Sequence, residues 1–279
     1  MRRWLRALER SALEAEIGGI GVEVPERYQS NFVRVAGAGE HVYILDRLIT
    51  EHFPEGGPLR CLVVGVFGGR DYFYLKAKGH DVIGMDLQPV EGIADVRTCS
   101  AEDTWPFGSQ EFDVVVMGEI LEHLHHDMRA LQEARRVLKP GGQLVATVPF
   151  LDSNDTYHIR IHDPVSFRRL LEINGFRVDH MLERPGFLNP GPLNYVVAGL
   201  ATGVHAVTRK PIYGALVKMV GSMEWRLGHV NLPRRLMKAM GLINWGGTFS
   251  CSLSDVSFDY VQQNVDAFLG GSQAGNKAV

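Results

Sequence analysis

Four short runs of branched and apolar residues recur through the middle of the chain: Cys61 to Val64, Asp81 to Asp86, Phe112 to Met117 and Gln143 to Pro149. Helical patterns separate them. Parallel strands must be joined by a crossover, and a helix supplies it, so this alternation predicts an α/β fold built on a doubly wound, mostly parallel sheet. Ligands of such sheets bind beyond the carboxyl ends of the strands, where the strand order reverses. The first run breaks there into Gly65-Val66-Phe67-Gly68-Gly69, and a helix is predicted from Arg70 to Lys78. Glycine lets a ligand approach the backbone, because no Cβ stands in the way. Asp86 ends the second run about 20 residues after the loop, the interval at which a carboxylate meets a ribose in nucleotide-binding sheets. Two vicinal hydroxyls donate and an ionised carboxylate accepts twice. A nicotinamide dehydrogenase is disfavoured, since the loop reads Gly-x-x-Gly-Gly and lacks the Gly-x-Gly-x-x-Gly spacing that seats a pyrophosphate.

Three further stretches follow in a fixed order: Ser100 to Phe107, then Glu119-Ile120-Leu121-Glu122-His123-Leu124 after the Phe112 run, then Arg136-Val137-Leu138-Lys139-Pro140-Gly141-Gly142. Together with the first loop they resemble the class I S-adenosylmethionine-dependent methyltransferases, from about Arg60 to Met181. The resemblance implies a seven-stranded sheet and S-adenosylmethionine as cofactor. It places Gly65, Phe67, Gly68 and Gly69 against the methionine part, Asp86 on the ribose, Ser100, Ala101 and Glu102 around the adenine, and Glu119 among the cofactor contacts. The chain departs from the family pattern at Val63, where an acid is usual, at Phe67, where glycine is usual, and at Ser100, which often is Asp. A catalytically silent, methyltransferase-like binding or scaffolding module is the alternative that these departures keep open.

Glu119, Glu122, His123, His125, His126 and Asp127 form the densest group of ionisable residues, at the carboxyl end of a predicted strand. Asp127 reads as a helix N-cap with His125 and His126 as a solvated approach to it. Glu122 with His126, and Glu119 with His123, are i, i+4 pairs of the kind that hold a metal on a helix. The His-Glu-x-x-His zinc pattern is absent, so no metal is assigned. The family commonly carries a Glu-His pair beside the transferred methyl, which points to Glu122 and His123. Methylating a hydroxyl requires removal of its proton, and imidazole, with an unperturbed pKa of about 6.5, is a base near neutral pH. His123 is the first choice of base, with hydrogen bonding to the cofactor or loop as its other reading. His158 lies in the later loop, which also holds Arg160 and His162, and is the second catalytic candidate. Arg160 pairs either with an anionic acceptor or with a local Asp.

The remainder divides into residues 1–58, with helices that could cover the cofactor (Tyr28 and Arg34 among the lid residues); a core over 59–185; a helical cap inserted over 186–246; a last strand within 247–269; and a disordered tail over 270–279. A helix from Glu40 to His52 leads into the core, and Trp4, Leu5, Leu8, Leu13 and Ile17 mark an amphipathic one before it. Another follows Asp163-Pro164. The cap opens on an apolar run, Leu193 to Val207, and continues with Arg209, Lys210, Lys218, Arg226, Arg234, Arg235 and Lys238, although the whole chain carries a net charge of −3. That combination fits either a lid or a face that touches anionic lipid. Nucleic acid is not expected as a partner. Three separated cysteines, Cys61, Cys99 and Cys251, suit a reducing cytoplasm. The function expected is O-methylation of a hydroxyl on a sugar, lipid-linked glycan or secondary-metabolite acceptor.

Overall fold

Seven strands form one sheet in the computed structural model, which describes residues 39–67, 69–90, 92–150, 157–184, 193–208 and 246–254 with positions 212, 215, 216, 219 and 222. The strands are β1 (Arg60–Val64), β2 (Asp81–Asp86), β3 (Val96–Thr98), β4 (Phe112–Gly118), β5 (Leu138–Pro149), β6 (Phe176–Arg184) and β7 (Gly246–Leu253). Their order across the sheet is β3-β2-β1-β4-β5-β7-β6. Strands β1 to β5 pair in parallel, and β7 runs antiparallel to both β5 and β6. The order reverses between β1 and β4, which opens the crevice beyond their carboxyl ends.

Each central strand is buried on both faces, so its residues are apolar throughout and alternate between two cores. Leu62, Val64, Val115, Met117, Leu144 and Ala146 face helices α3 (Asp127–Val137) and α4 (Pro164–Ile173), whose Leu131, Ala134, Phe167 and Leu171 are all fully buried. Cys61, Val63, Val114, Val116 and Val145 face α1 (Gly39–His52) and α2 (Arg70–Ala77) through Leu45, Leu48, Tyr72, Phe73 and Leu75. Val63, which replaces the usual acid, is thus a core residue at 2% exposure. Cys61 and Cys251 are buried, and Cys99 is half-buried.

Three local expectations change. The strand expected from Gln143 opens earlier, at Leu138, and Lys139 to Gly142 bulge out of it, so that Phe112 pairs with Leu138 and Val114 with Gln143. Asp127 is not the N-cap of α3, a place taken by His126 without a side-chain bond. It is the first helical residue, buried, and its carboxylate pairs with Arg160. The last strand begins at Gly246, one residue ahead of the expected span of 247–269. By contrast, Asp163 caps α4 as its sequence suggests, accepting from the backbone of Val165 and Ser166 in a full capping box. The apolar run of the expected cap forms α5 (Leu193–Thr208). The lid residues Tyr28 and Arg34, the basic part of the cap and the tail lie outside the described residues.

Candidate active site

Beyond the end of β1 the backbone turns at Gly65, with φ +79°, and its N–H donates to Met85 O at 2.8 Å. A Cβ there would stand 2.8 Å from Ile120 Cδ1, so the residue types of loop and turn are matched. Phe67 follows with φ +20° and a side chain that is 87% exposed. Its N–H donates to Asp86 Oδ2 at 3.0 Å, while Gln88 N–H donates to Oδ1 at 3.3 Å. Two backbone donors therefore aim the Asp86 carboxylate at the loop, and each oxygen keeps a lone pair for a further donor. Gly68 lies outside the described residues. Gly69 takes φ +72° and starts α2.

On the other side of β2, Ser100 Oγ accepts from Glu102 N–H at 3.1 Å. Ala101 is buried and its carbonyl accepts from Trp105 Nε1 at 3.0 Å. Glu102 Oε1 accepts from His126 N–H at 2.6 Å, which links this turn to the start of α3. Ser100 and Ala101 thus sit where an adenine wall would stand, with the Glu102 carboxylate spent on the helix.

At the end of β4, Glu119 takes φ +54° and its N–H donates to Thr147 O at 3.0 Å and Thr147 Oγ1 at 3.1 Å. A left-handed non-glycine residue at a strand end is strain held by its surroundings, as functional sites often show. Leu121–His123 then form one 3-10 turn, and α3 starts only at Asp127. The segment is not one helix, so the i, i+4 pairs of Glu122 with His126 and Glu119 with His123 have no helical face to share. The turn brings other partners together. Glu122 is fully buried, and its carbonyl accepts from Ile159 N–H at 3.0 Å and Arg160 N–H at 3.1 Å. His123 Nδ1 lies 3.0 Å from Tyr157 O, and its Nε2 lies 3.8 Å from Glu122 Oε1. The rings of His123 and His158 meet edge-on with centroids 4.8 Å apart. Ligand atoms of Glu122, His123 and His158 all fall within 4.8 Å of one another.

Arg160 and His162 do other work. Arg160 pairs with Asp127 at 3.0 Å and donates to His125 O at 2.8 Å, which pins the later loop to α3. His162 is buried edge-on against Phe167, and burial lowers its pKa below the usual imidazole value, more than Asp127 raises it. These residues line a cleft of about 360 Å³ with Ile159, Ile161, Ser166 and Leu170.

Two residues with a place in the site escape motif reading. Arg70 and Asp71 pair through two bonds of 2.8 and 3.0 Å at the first turn of α2. They lie over the end of β4 so closely that a Cβ on Gly118 would meet Asp71 Oδ2 at 2.6 Å and Arg70 Nη2 at 2.7 Å. Burial works to lower the Arg70 pKa, but the charges of Asp71, Glu119 and Glu122 outweigh it and the net shift is upward. The only sequence signal was a cation and an acid straight after the glycine loop.

A profile of the methyltransferase domain matches residues 62–146, the stretch that carries the loop, Asp86 and the Glu122-His123 turn. Residues 62–146 carry a methyltransferase domain of the class I S-adenosylmethionine-dependent kind. The chain is similar to ubiquinone biosynthesis O-methyltransferase of Cereibacter sphaeroides, 33% identical over 114 residues that cover 37% of this chain and 45% of that protein. An uncharacterised protein of Methanocaldococcus jannaschii is 26% identical over 178 residues, covering 60% of this chain and 82% of the relative. Among solved structures, the 1,6-didemethyltoxoflavin-N1-methyltransferase of Burkholderia thailandensis aligns with 84% of this chain and 92% of its own, at 15% identity and a TM-score of 0.47. The chain spans under half the length of the Cereibacter enzyme. The family's cofactor is S-adenosylmethionine, and the residues present fit it. Gly65 leaves the loop backbone open, Asp86 presents both carboxylate oxygens at the end of β2, and Ala101 offers an apolar wall beyond it.

Proposed function

We propose that the chain is an O-methyltransferase, acting on a hydroxyl of an amphiphilic or lipid-linked acceptor. The observation that carries this reading is the meeting of Glu122, His123 and His158 beyond β4 and β5. S-adenosylmethionine supplies an electrophilic methyl when bound. The chain's own residues then have three tasks. Asp86 holds the ribose hydroxyls, Ser100 and Ala101 flank the adenine, and Gly65 with Gly69 gives the methionine part room against the backbone. His123 receives the acceptor's proton at Nε2, since its Nδ1 is held by Tyr157 O. Glu122 and His158 fix the position of that ring and the charge around it. Alignment of acceptor and methyl supplies the rest of the rate.

The acceptor's apolar part is supported by the loop that delivers His158. Ile159 and Ile161, which line the cleft, and Tyr157 and Val165 near them in sequence expose large apolar side chains. Apolar groups gathered at a crevice mark binding surfaces more often than chance exposure does. A relative named as ubiquinone biosynthesis O-methyltransferase agrees with oxygen as the methylated atom, and one named as 2-methoxy-6-polyprenyl-1,4-benzoquinol methylase agrees with an apolar chain on the acceptor. Among the described residues no helix is long and apolar enough to cross a membrane, so contact with a bilayer is proposed as peripheral, through the cap.

The test is transfer of a labelled methyl from S-adenosylmethionine to acceptor extracts, with mass spectrometry of the products. An oxygen-linked methyl on an amphiphilic product is expected. Cofactor binding in calorimetry with no product in any fraction would favour the silent binding module, and the departures at Val63 and Phe67 are what keep that second reading in view.

A further inference from the structure

We infer that helix α5 anchors the chain on an anionic bilayer, lying in the plane of the surface with Val196, Leu200 and Val207 in the acyl boundary. The first argument is the surface of the helix itself. A helix of a soluble domain buries its apolar stripe and turns polar residues to water. On α5 the reverse holds, for none of its described side chains is buried. Val196 is 54% exposed, Leu200 56% and Val207 84%. At about 100° per residue these three fall within roughly 40° of one another, with Gly199 and Gly203 beside them. A Cβ on either glycine would meet nothing within 4 Å, so this side of the helix is open along its length. The sequence of α5 contains no Asp, Glu, Lys or Arg. Its 16 residues rise about 24 Å, short of the roughly 30 Å hydrocarbon core, so the helix can lie on a bilayer but cannot cross it.

The second argument is charge. From Pro185 to Ser254 the sequence has seven Lys and Arg residues and one acid, Glu224, and two of those cations, Arg209 and Lys210, directly follow α5. The rest of the chain holds 22 cations and 31 acids. An anionic surface therefore repels the body and attracts the one stretch that also exposes an apolar helix face. The same charge argues against a second copy of the chain as occupant, because pairing would bring two basic stretches together. Three apolar side chains and two glycines also fall short of the roughly 800 Å² per partner that a stable protein interface buries.

The anchoring stands on the helix and its charge setting; its use rests on the amphiphilic-acceptor reading. A chain held at the surface meets an acceptor dissolved in the same bilayer. Turnover then follows the acceptor's surface density and not its bulk concentration.

The full-length chain is sedimented with vesicles of phosphatidylcholine alone and with vesicles that also contain phosphatidylserine, at low and high salt. Binding to the mixed vesicles is expected, weaker in high salt, with little binding to phosphatidylcholine alone. Each Lys or Arg near an anionic surface is worth about fivefold, so Arg209→Gln with Lys210→Gln should weaken low-salt binding about 25-fold. Leu200→Ser with Val207→Ser should weaken it by about tenfold or more through lost apolar area. In Leu200→Trp, emission from the added indole should shift to the blue on mixed vesicles and be quenched by brominated acyl chains. Melting temperatures equal to the parent's would show that the variants are folded, since the substituted helix positions are exposed. No sedimentation with mixed vesicles at low salt overturns the anchor. So does parent-like binding by Leu200→Ser with Val207→Ser, or a dimer in solution that this variant abolishes, which would give the face to a second copy. Vesicle binding without methyl transfer to any amphiphilic acceptor would keep the anchor and sink the acceptor reading.

Discussion

The Nδ1 atom of His123 lies 3.0 Å from the carbonyl oxygen of Tyr157, a contact across 34 residues that joins the turn after β4 to the segment after β5. A carbonyl only accepts, so the bond selects one tautomer and leaves Nε2 as the basic nitrogen. Ile159 and Arg160 reinforce the junction by donating to Glu122 O. The basic atom of the ring is therefore positioned by two chain segments at once.

On that ground, His123→Ala should lower methyl turnover by about 10²–10⁴ and leave S-adenosylmethionine affinity nearly unchanged. Single-turnover rates and calorimetry on the same preparation separate the two. Loss confined to affinity would make His123 a binding residue.

Asp86→Ala should act in the opposite way. The Phe67 and Gln88 donors lose their acceptor, and the ribose loses charge-assisted bonds worth about 1.5–3 kcal/mol, so affinity should fall roughly ten- to a hundredfold. Calorimetric affinity equal to that of the parent protein would mean that the ribose lies elsewhere.

Gly118→Ala tests the packed end of β4. The new methyl would press on Asp71 Oδ2 at 2.6 Å and Arg70 Nη2 at 2.7 Å, where Asp71 is buried and has little room to retreat. Overpacking of this kind costs about 1–3 kcal/mol, so a lower melting temperature is expected along with weaker cofactor binding. A parent-like melting temperature would show that the Arg70–Asp71 pair is free to move.

Stability should also respond to pH through His162. Burial lowers its folded pKa, so the neutral ring is favoured in the folded state. That contribution is complete above the unfolded value of about 6.5 and is lost as pH falls from there toward the folded value, where the slope ends. Denaturant unfolding from pH 7.5 to 5 should show this loss, and His162→Phe should flatten it. An unchanged slope in the variant would assign the effect to other groups.

The strands were legible because buried parallel strands need apolar residues on both faces, and the runs at Cys61, Phe112 and Gln143 have them. Val96–Thr98 carries no such mark, since an edge strand of three residues is placed by pairing with β2 and not by its own composition. Pro140-Gly141-Gly142 reads as a stop, and the chain instead uses it to bulge within β5, because pairing with β4 resumes after it. The resemblance indicated the loop, Asp86 and the Glu122-His123 pair. Arg160's partner was one of two readings, and Asp127 takes it at the cost of its expected capping role. The Arg70–Asp71 pair was hidden, because its meaning depends on Gly118, 48 positions from Arg70 in sequence.

Among the described residues, strand β6 pairs with β7 alone, while β7 also pairs with β5. The piece that joins them is thus made last. While the chain emerges from a ribosome, β5 presents an open edge and β6 waits without a partner until Gly246–Leu253 has been synthesised. The loop bearing His158 lies between those two strands, so both of its anchors stay provisional through that interval. Translation speed over residues 185–245 then sets how long an unpaired edge is open to aggregation or to chaperones.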